Sequence, residues 1–550
     1  MTDVAWPGVA ATGASPLVVH TVLMDMDGDG VIEGDGTVGA LQGRTVGSLA
    51  GLTVAQLDAA HLPSREIITD DVRLEPTPQA ERGRDRVASG SPPMASEVNL
   101  AVDNRSGNWS PGNPNSPLYQ AVKIGRMVDW RIVAGGITYG VVQGLCKEIA
   151  PDSHFGQELV HLRGLSQLSR LVGLSGLSSP LYGDGTVANG VRTDQALGYV
   201  LDAAGLTSTS RRSFDAGDTR LLYFYIKPSD DLFDLALRLW GAEGPGSRLY
   251  DRADGVTVFT RRGREITDSR ATTVQATFRD TDDGSTPYYS AWSRRSGEES
   301  MVNSCAFSIV RRGAAQAVEW RAGAVLTLQA NELRDTLVGV TGDDVVANAA
   351  DPVAGTDYTV TGGSLTLAPA IVGRRSGAFV TLRAQAGAGG ATVAGPPADQ
   401  ANGLRVNLSV VRVSERVTVA DAGTQTAQSH ADYGLHGLSI PVYEELDKGF
   451  AQSLCDAWVA RGMEPRPTAL IELPLVEARQ LAPALAREIG DRVAIVSDRD
   501  YFNRSMWVES ITTLVDAGGT TTIRLGCEAV HETDYLRWGV GLWGRQRWGL

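Results

Sequence analysis

The sequence predicts a mainly β protein of several domains, with one small α/β unit and an inserted β-sandwich-like module. Three observations predict it. Apolar residues recur at every second position over most of the chain, the period of strands with one buried face. The chain holds 63 Gly and 24 Pro with only 6% aromatics, which suits many short strands joined by turns. The period lengthens to that of a helix in only a few stretches. At 550 residues the chain is too long for one core, and a domain of roughly 100–200 residues implies about three or four. The pattern divides into an N-terminal β-domain over 1–180, an α/β domain over 181–295, a second β-domain over 296–470 with the sandwich-like module at about 325–410, and a C-terminal meander and tail over 471–550.

A net charge of −14 argues against nucleic-acid readout, which needs clustered Lys and Arg. The local basic run Arg261-Arg-Gly-Arg264 reads as a solvated hairpin edge. Cys146, Cys305, Cys455 and Cys527 lie far apart in apolar patterns, so buried free thiols are expected. No apolar run approaches the roughly 18 residues of a membrane span. Met1-Thr-Asp-Val lacks the features of a secretion signal, so synthesis in a cytoplasm is expected.

Residues 17–24 read as a strand entering Asp25-Met-Asp-Gly-Asp-Gly-Val-Ile-Glu33. Asp25, Asp27 and Asp29 stand at alternate positions with Gly30 at the sharp turn, as in a calcium loop, and Glu33 adds a fourth carboxylate. The bidentate acid is missing, because its place falls on Gly36. A hairpin with an Asp-Gly turn is the preferred reading, and no cofactor is expected. Residues 38–60 look like an insertion, and the β pattern returns over 65–74.

Val98, Leu100 and Val102 then alternate with polar neighbours up to Asp103-Asn104. The next stretch is dominated by Gly, Asn, Ser and Pro, and Pro111, Pro114 and Pro117 forbid a sheet ladder. Asn and Asp side chains can bond their own following amides, so this is expected to be an ordered irregular loop anchored by Trp109 and Tyr119. Strands follow at 128–133 and 138–145 across a Gly135-Gly136 turn, then at 157–164, with 165–171 closing the domain.

From Thr193 the period becomes helical, with Ala196, Leu197, Val200, Leu201 and Ala204 on one stripe ended by Gly205. A second helix is expected over about 230–240, with Ser229 as N-cap, Asp230 and Asp231 in its first turn and Gly241 as its stop. A hairpin with Asp254-Gly255 at its tip follows. Strands resume at 305–311 and 324–328, and alternation continues to about 410 with a Gly- and Ala-rich run over 387–395 that reads as flexible linker. After the 404–413 strand come Tyr433-Gly434, a helix presenting Phe450, Leu454, Trp458 and Val459, and strands at 468–473, 489–496, 506–512 and 521–525. Trp538, Trp543 and Trp548 recur at a five-residue step, which suits a docking tail or one folded back on its own domain.

A strand ending Asp103-Asn104-Arg105-x-Gly107, then an aromatic, Ser-Pro, Asn-Pro, Ser-Pro, Tyr119 and Gly125-Arg126, resembles a signature of minor tail proteins of long-tailed bacteriophages, with Trp109 and Gly112 departing from the commoner residues. The helix–helix–hairpin order, the Tyr433-Gly434 element and the final Gly490-Asp-Arg-Val…Val508-Glu-Ser-Ile511 resemble the same family in the same order. The resemblance implies a tail-tip hub, related in fold to the central hub of contractile-phage baseplates, with two related β-barrel-like domains per chain. It further implies a homotrimer in the virion, at the distal end of the tail, joining the distal tail-protein ring and tape measure protein to receptor-binding proteins. Asp103, Asn104, Arg105, Trp109, Pro111, Pro114, Pro117 and Tyr119 would then be scaffold and interface.

No catalytic residue is expected. The seven His show no HExxH spacing, and Gly173-Leu-Ser-Gly-Leu177 misses the nucleophile elbow at its last position. Two other readings remain: a tail-associated cell-wall hydrolase, with carboxylates hidden among the many acids, and a calcium-binding β-sandwich adhesin built on the Asp25 loop.

Overall fold

The computed structural model describes residues 18–25, 65–67, 71–84, 92–116, 118, 122–154, 157–176, 179–297, 301–340, 343–367, 371–372, 376–421, 423, 426–438 and 440–530. The expectations at Asp27, Asp29, Glu33, Pro117, Tyr119, Trp538, Trp543 and Trp548, and at the Asp25 side chain, lie outside the described residues.

The protein is mainly β, and one 14-stranded sheet organises it. Its path begins with Ala291–Arg295, Thr468–Pro474, Thr521–Ala529 and Phe502–Val515. It continues through Gln79–Arg84, Pro93–Asp103, Gln157–Leu165 and Ile137–His154 to Met127–Ala134, Val18–Asp25 and Arg65–Ile67. The seam is the pairing of Phe502–Val515 with Gln79–Arg84, which joins the C-terminal meander to the N-terminal strands. Both sets bury their apolar face in a single core that runs from Val22, Val98 and Trp130 to Val493, Val508 and Leu525. Val98, Leu100 and Val102 are buried, as their alternation predicts.

Bulges interrupt both strands at the seam, between Glu81 and Gly83 and between Val508 and Ser510. Gly83 has φ +114°, and a Cβ there would stand 2.2 Å from the Glu509 carbonyl oxygen, so only glycine fits. The Arg82-Gly83-Arg84 triplet is therefore a device for close backbone approach that keeps two arginines facing inward.

The sheet curls on itself. Thr521 and His20 lie on strands third and tenth along the path, yet the His20 Nε2 and Thr521 Oγ1 atoms are 2.7 Å apart. Trp130 donates its Nε1 hydrogen to His20 Nδ1 at 3.1 Å, which leaves the imidazole proton on Nε2 to reach Thr521.

The α/β unit contains helices Thr193–Ala203 and Leu232–Glu243 against a three-stranded sheet of Arg212–Phe214, Thr257–Thr260 and Arg248–Asp251. The second helix starts and ends later than its sequence suggests. Asp231 is the N-cap, accepting from the Phe233 and Asp234 amides, in place of Ser229. Gly241 lies inside the helix because a Cβ there would meet the Pro441 carbonyl at 2.3 Å; Gly244, at φ +103°, stops it.

The 325–410 module forms small antiparallel sheets around its own core of Val338, Val380, Leu382, Val406 and Leu408. The run over 387–395 is not a flexible linker. It turns between the strands Phe379–Ala386 and Ala391–Ala394, and its glycines are needed for contact: a Cβ on Gly387 would meet Ser364 Oγ at 2.1 Å. Helix Lys448–Gly462 packs Leu454, Trp458 and Val459 into a core shared with the α/β unit. All four cysteines are buried free thiols.

Burial lowers the His20 pKa from its ordinary 6.5 to about 3. The unfolded chain therefore takes up this proton first: the contribution is intact above about pH 6.5 and is lost as pH falls toward 3. Thermal melts should show wild type losing about 2 kcal/mol more than His20→Asn between about pH 7 and about pH 5. Superimposable pH profiles would remove His20 as the cause.

Candidate functional site

The loop that follows Asp103 is built by its own polar side chains. Asn104 accepts from the Trp109 amide through Oδ1 at 2.9 Å and donates to Ser110 Oγ at 2.9 Å. Asn113 reaches back to the Gly107 carbonyl at 2.9 Å, and the Ser116 hydroxyl donates to the Asn108 carbonyl at 2.7 Å. Trp109 is 1% exposed in the main core and donates Nε1–H to Asp71 Oδ2 at 3.0 Å. Asp103 takes Arg105 and Arg73 as ion-pair partners. Burial pushes its carboxyl up, and the hydrogen bonds from Arg105 and Arg73 outweigh that and hold it below the usual range. Pro111 and Pro114 are exposed on the outside of the same loop. Asp103, Asn104, Arg105 and Trp109 thus converge on one structure at the end of the 93–103 strand.

A second convergence carries no local motif. Arg84, Arg248 and Arg461 meet Glu265 and Glu509, and all five side chains are nearly sealed from solvent. Arg248 spans both acids, 3.0 Å from Glu265 and 2.6 Å from Glu509; Arg461 donates to both Glu265 oxygens at 2.6 and 3.0 Å. The guanidinium groups of Arg248 and Arg461 lie 5.8 and 5.5 Å from the Trp507 ring centre, and that of Arg84 lies 5.8 Å from the Trp240 ring. Burial pushes Glu265 and Glu509 up, and the arginines outweigh it, so both stay ionised. The sequence holds no motif for this, because its members come from four separate regions of the chain.

Beside the junction a cleft of about 150 Å³ opens between the α/β unit and the C-terminal strands, lined among others by Tyr250, Arg264, Asp268, Arg270, Glu488 and Asp491. Its carboxylates are engaged: Asp268 with Arg264 at 2.7 Å, Asp491 with Arg270 at 2.6 Å, and Glu488 with Arg82 at 2.7 Å. Glu445, which burial pushes up to about 7, is sealed against Arg312 at 2.7 Å, and burial also pushes up the enclosed Glu243 and Asp251. Among the described residues, no group of three or more His, Cys, Asp or Glu could hold a metal ion.

Asn303 is a further positioning residue that the sequence does not announce. Fully buried, it donates to Ser429 Oγ at 3.0 Å and the Gly434 carbonyl at 2.7 Å, and accepts from the His436 amide at 2.7 Å. It fixes the Tyr433–His436 turn, which presents Leu435 at 73% exposure.

Two substitutions separate these constructions. Trp109→Ala should cost about 3–5 kcal/mol in denaturant unfolding, and Trp109→Phe only about 1–2, since it loses chiefly the Asp71 bond. Arg248→Met leaves two carboxylates facing each other without their shared cation and should cost about 3–5 kcal/mol. A loss below about 1 kcal/mol for Arg248→Met would show that the junction does not hold the domains together.

No known protein family matches the chain, and no curated protein matches it by sequence. Solved structures do resemble it. A tail protein from Neisseria meningitidis is 11% identical, with 82% of this chain and 91% of that one covered and a TM-score of 0.41. A 43 kDa tail protein of prophage MuSo2 from Shewanella oneidensis is 12% identical over 85% and 96%, with a TM-score of 0.41. A component of the E. coli type VI secretion system, described as structurally similar to T4 bacteriophage tail proteins, is 8% identical over 84% and 74%, with a TM-score of 0.36.

Proposed function

We propose that this protein is a structural component of a bacteriophage tail, the hub at its distal tip. The observation that carries the reading is the loop over 103–116. The residues whose order resembles the tail-hub signature, Asn104, Trp109, Ser110 and Ser116 among them, are the ones that hold the loop together. A signature matched by chance would not be expected to coincide with a self-supporting construction of this kind.

In this reading three copies surround the tail axis, and two β-regions per copy give a quasi-sixfold ring. One face meets the distal tail-protein ring and the end of the tape measure protein; the outer face and the tail bearing Trp538, Trp543 and Trp548 hold receptor-binding proteins. The protein acts by geometry, and no residue has a catalytic role. The engaged carboxylates of the 150 Å³ cleft support this over the cell-wall hydrolase. The Asp25–Glu33 loop is proposed as a hairpin that needs no calcium.

The mass in solution, measured by light scattering with and without chelator, tests it. A chelator-insensitive trimer, or a monomer that becomes trimeric only with tail partners, is the expected result. A stable monomer that unfolds when calcium is stripped would sink the hub and favour the adhesin.

A further inference from the structure

The strand Leu333–Gly339 lies at the edge of its sheet in the 325–410 module, paired with Phe379–Ala386 on one side and with no strand on the other among the described residues. An open edge presents backbone donors and acceptors in a row, and proteins usually guard such edges with charge. Two other edges here are guarded. Ala291–Arg295 ends in exposed Arg294 and Arg295, and Gln316–Arg321 carries Glu319 and Arg321 in an ion pair. The 333–339 edge also carries charge, with Arg334 paired to Glu332 and Asp335 to Arg383, but unlike those two it exposes large apolar side chains as well, Leu333 at 53% and Leu337 at 61%.

These leucines share one face with Asp335 between them. Across the pairing, Leu333 stands opposite Gln385, Asp335 opposite Arg383 and Leu337 opposite Thr381. The Asp335 and Arg383 side chains bond at 2.7 Å, both a little over two-fifths exposed, so the acid is presented and not buried. The outward pattern along the edge is therefore apolar, acidic, apolar at alternate positions.

We propose that this edge is a docking site for an extended strand of another protein, read by strand addition. Directly opposed side chains decide which strand fits: apolar groups belong opposite Leu333 and Leu337, and a Lys or Arg opposite Asp335. A second copy of this chain is disfavoured by the same rule. Antiparallel self-pairing that sets Leu333 against Leu337 also sets Asp335 against Asp335, and like charges directly opposed repel. The edge thus selects a heterologous strand of pattern apolar–x–basic–x–apolar. The sandwich-like module becomes a receiving platform, a role that the hub reading does not require.

The test uses the full chain and a labelled synthetic peptide with Val-Thr-Lys-Thr-Val at its centre, followed by fluorescence anisotropy and by amide exchange over 333–339. Saturable binding that slows exchange at this edge is expected. Replacing the peptide lysine by glutamate should weaken binding about tenfold, and Asp335→Lys in the protein should restore the glutamate peptide. Leu333→Lys with Leu337→Lys should weaken the lysine peptide about tenfold; both leucines are exposed, so the melting temperature should hold. Binding no better than a scrambled peptide, binding indifferent to these changes, or self-association that Leu333→Lys with Leu337→Lys abolishes would each overturn the proposal.

Discussion

Two buried carboxylates, Glu265 and Glu509, decide how the parts of this molecule sit together. Glu265 comes from a short helix of the α/β unit, Glu509 from the C-terminal strand at the seam of the large sheet. Neither can be buried ionised without cations, and the cations come from three further places: Arg84 at the end of an N-terminal strand, Arg248 in the α/β hairpin and Arg461 in the 448–462 helix. Four regions of the chain are thereby required to meet at one point. The net stability gained from such a network is small, because desolvation consumes most of the attraction. Its effect is on specificity, since a packing that separates any one arginine from its acid strands a charge in a dry interior.

The curled sheet depends on that arrangement. Its central seam pairs strands more than four hundred residues apart, with the α/β and second β regions lying between them in the chain. The bulge at Gly83 bears directly on Glu509, so backbone approach and the charge junction are one construction. The contact of His20 with Thr521 then closes the far side of the same curl. Trp507, with its indole hydrogen on the Ala271 carbonyl, fills the space between the guanidinium groups and the sheet.

What was legible in the sequence is what is local. Alternation located the strand ending at Asp103, and the Asn-, Ser- and Pro-rich composition after it announced an irregular loop held by side chains, with Trp109 as its anchor. The 193–203 helix followed from its apolar stripe. The errors have a common physical source in contacts from distant residues. Ser229 reads as the cap with Asp231 in the first turn, but the fold holds Asp231 against the Gly173 amide and aims it at the Phe233 and Asp234 amides, so Asp231 is the cap. Gly241 looked like a stop, but its missing Cβ makes room for the Pro441 backbone. The glycines of 387–395 looked like slack and are there for close approach. The arginine–glutamate junction was invisible for the same reason, as no spacing relates Arg84 to Glu509.

The attachment of the 325–410 module follows the same logic in weaker form. Lys227 of the α/β unit reaches Asp343 at 2.7 Å, and Arg312 gives one hydrogen bond to Glu445, one to Tyr225 Oη and one to the Asp343 carbonyl. Arg312 and Glu445 are sealed, whereas Lys227 and Asp343 keep roughly a third of their side-chain surface in water. The root of the module is therefore fixed by a dry contact and its flank by a wet one, which salt screens. A module rooted this way holds its orientation while its far edge stays open to solvent. That is the arrangement expected of an element that adds contacts to a rigid body without sharing its core.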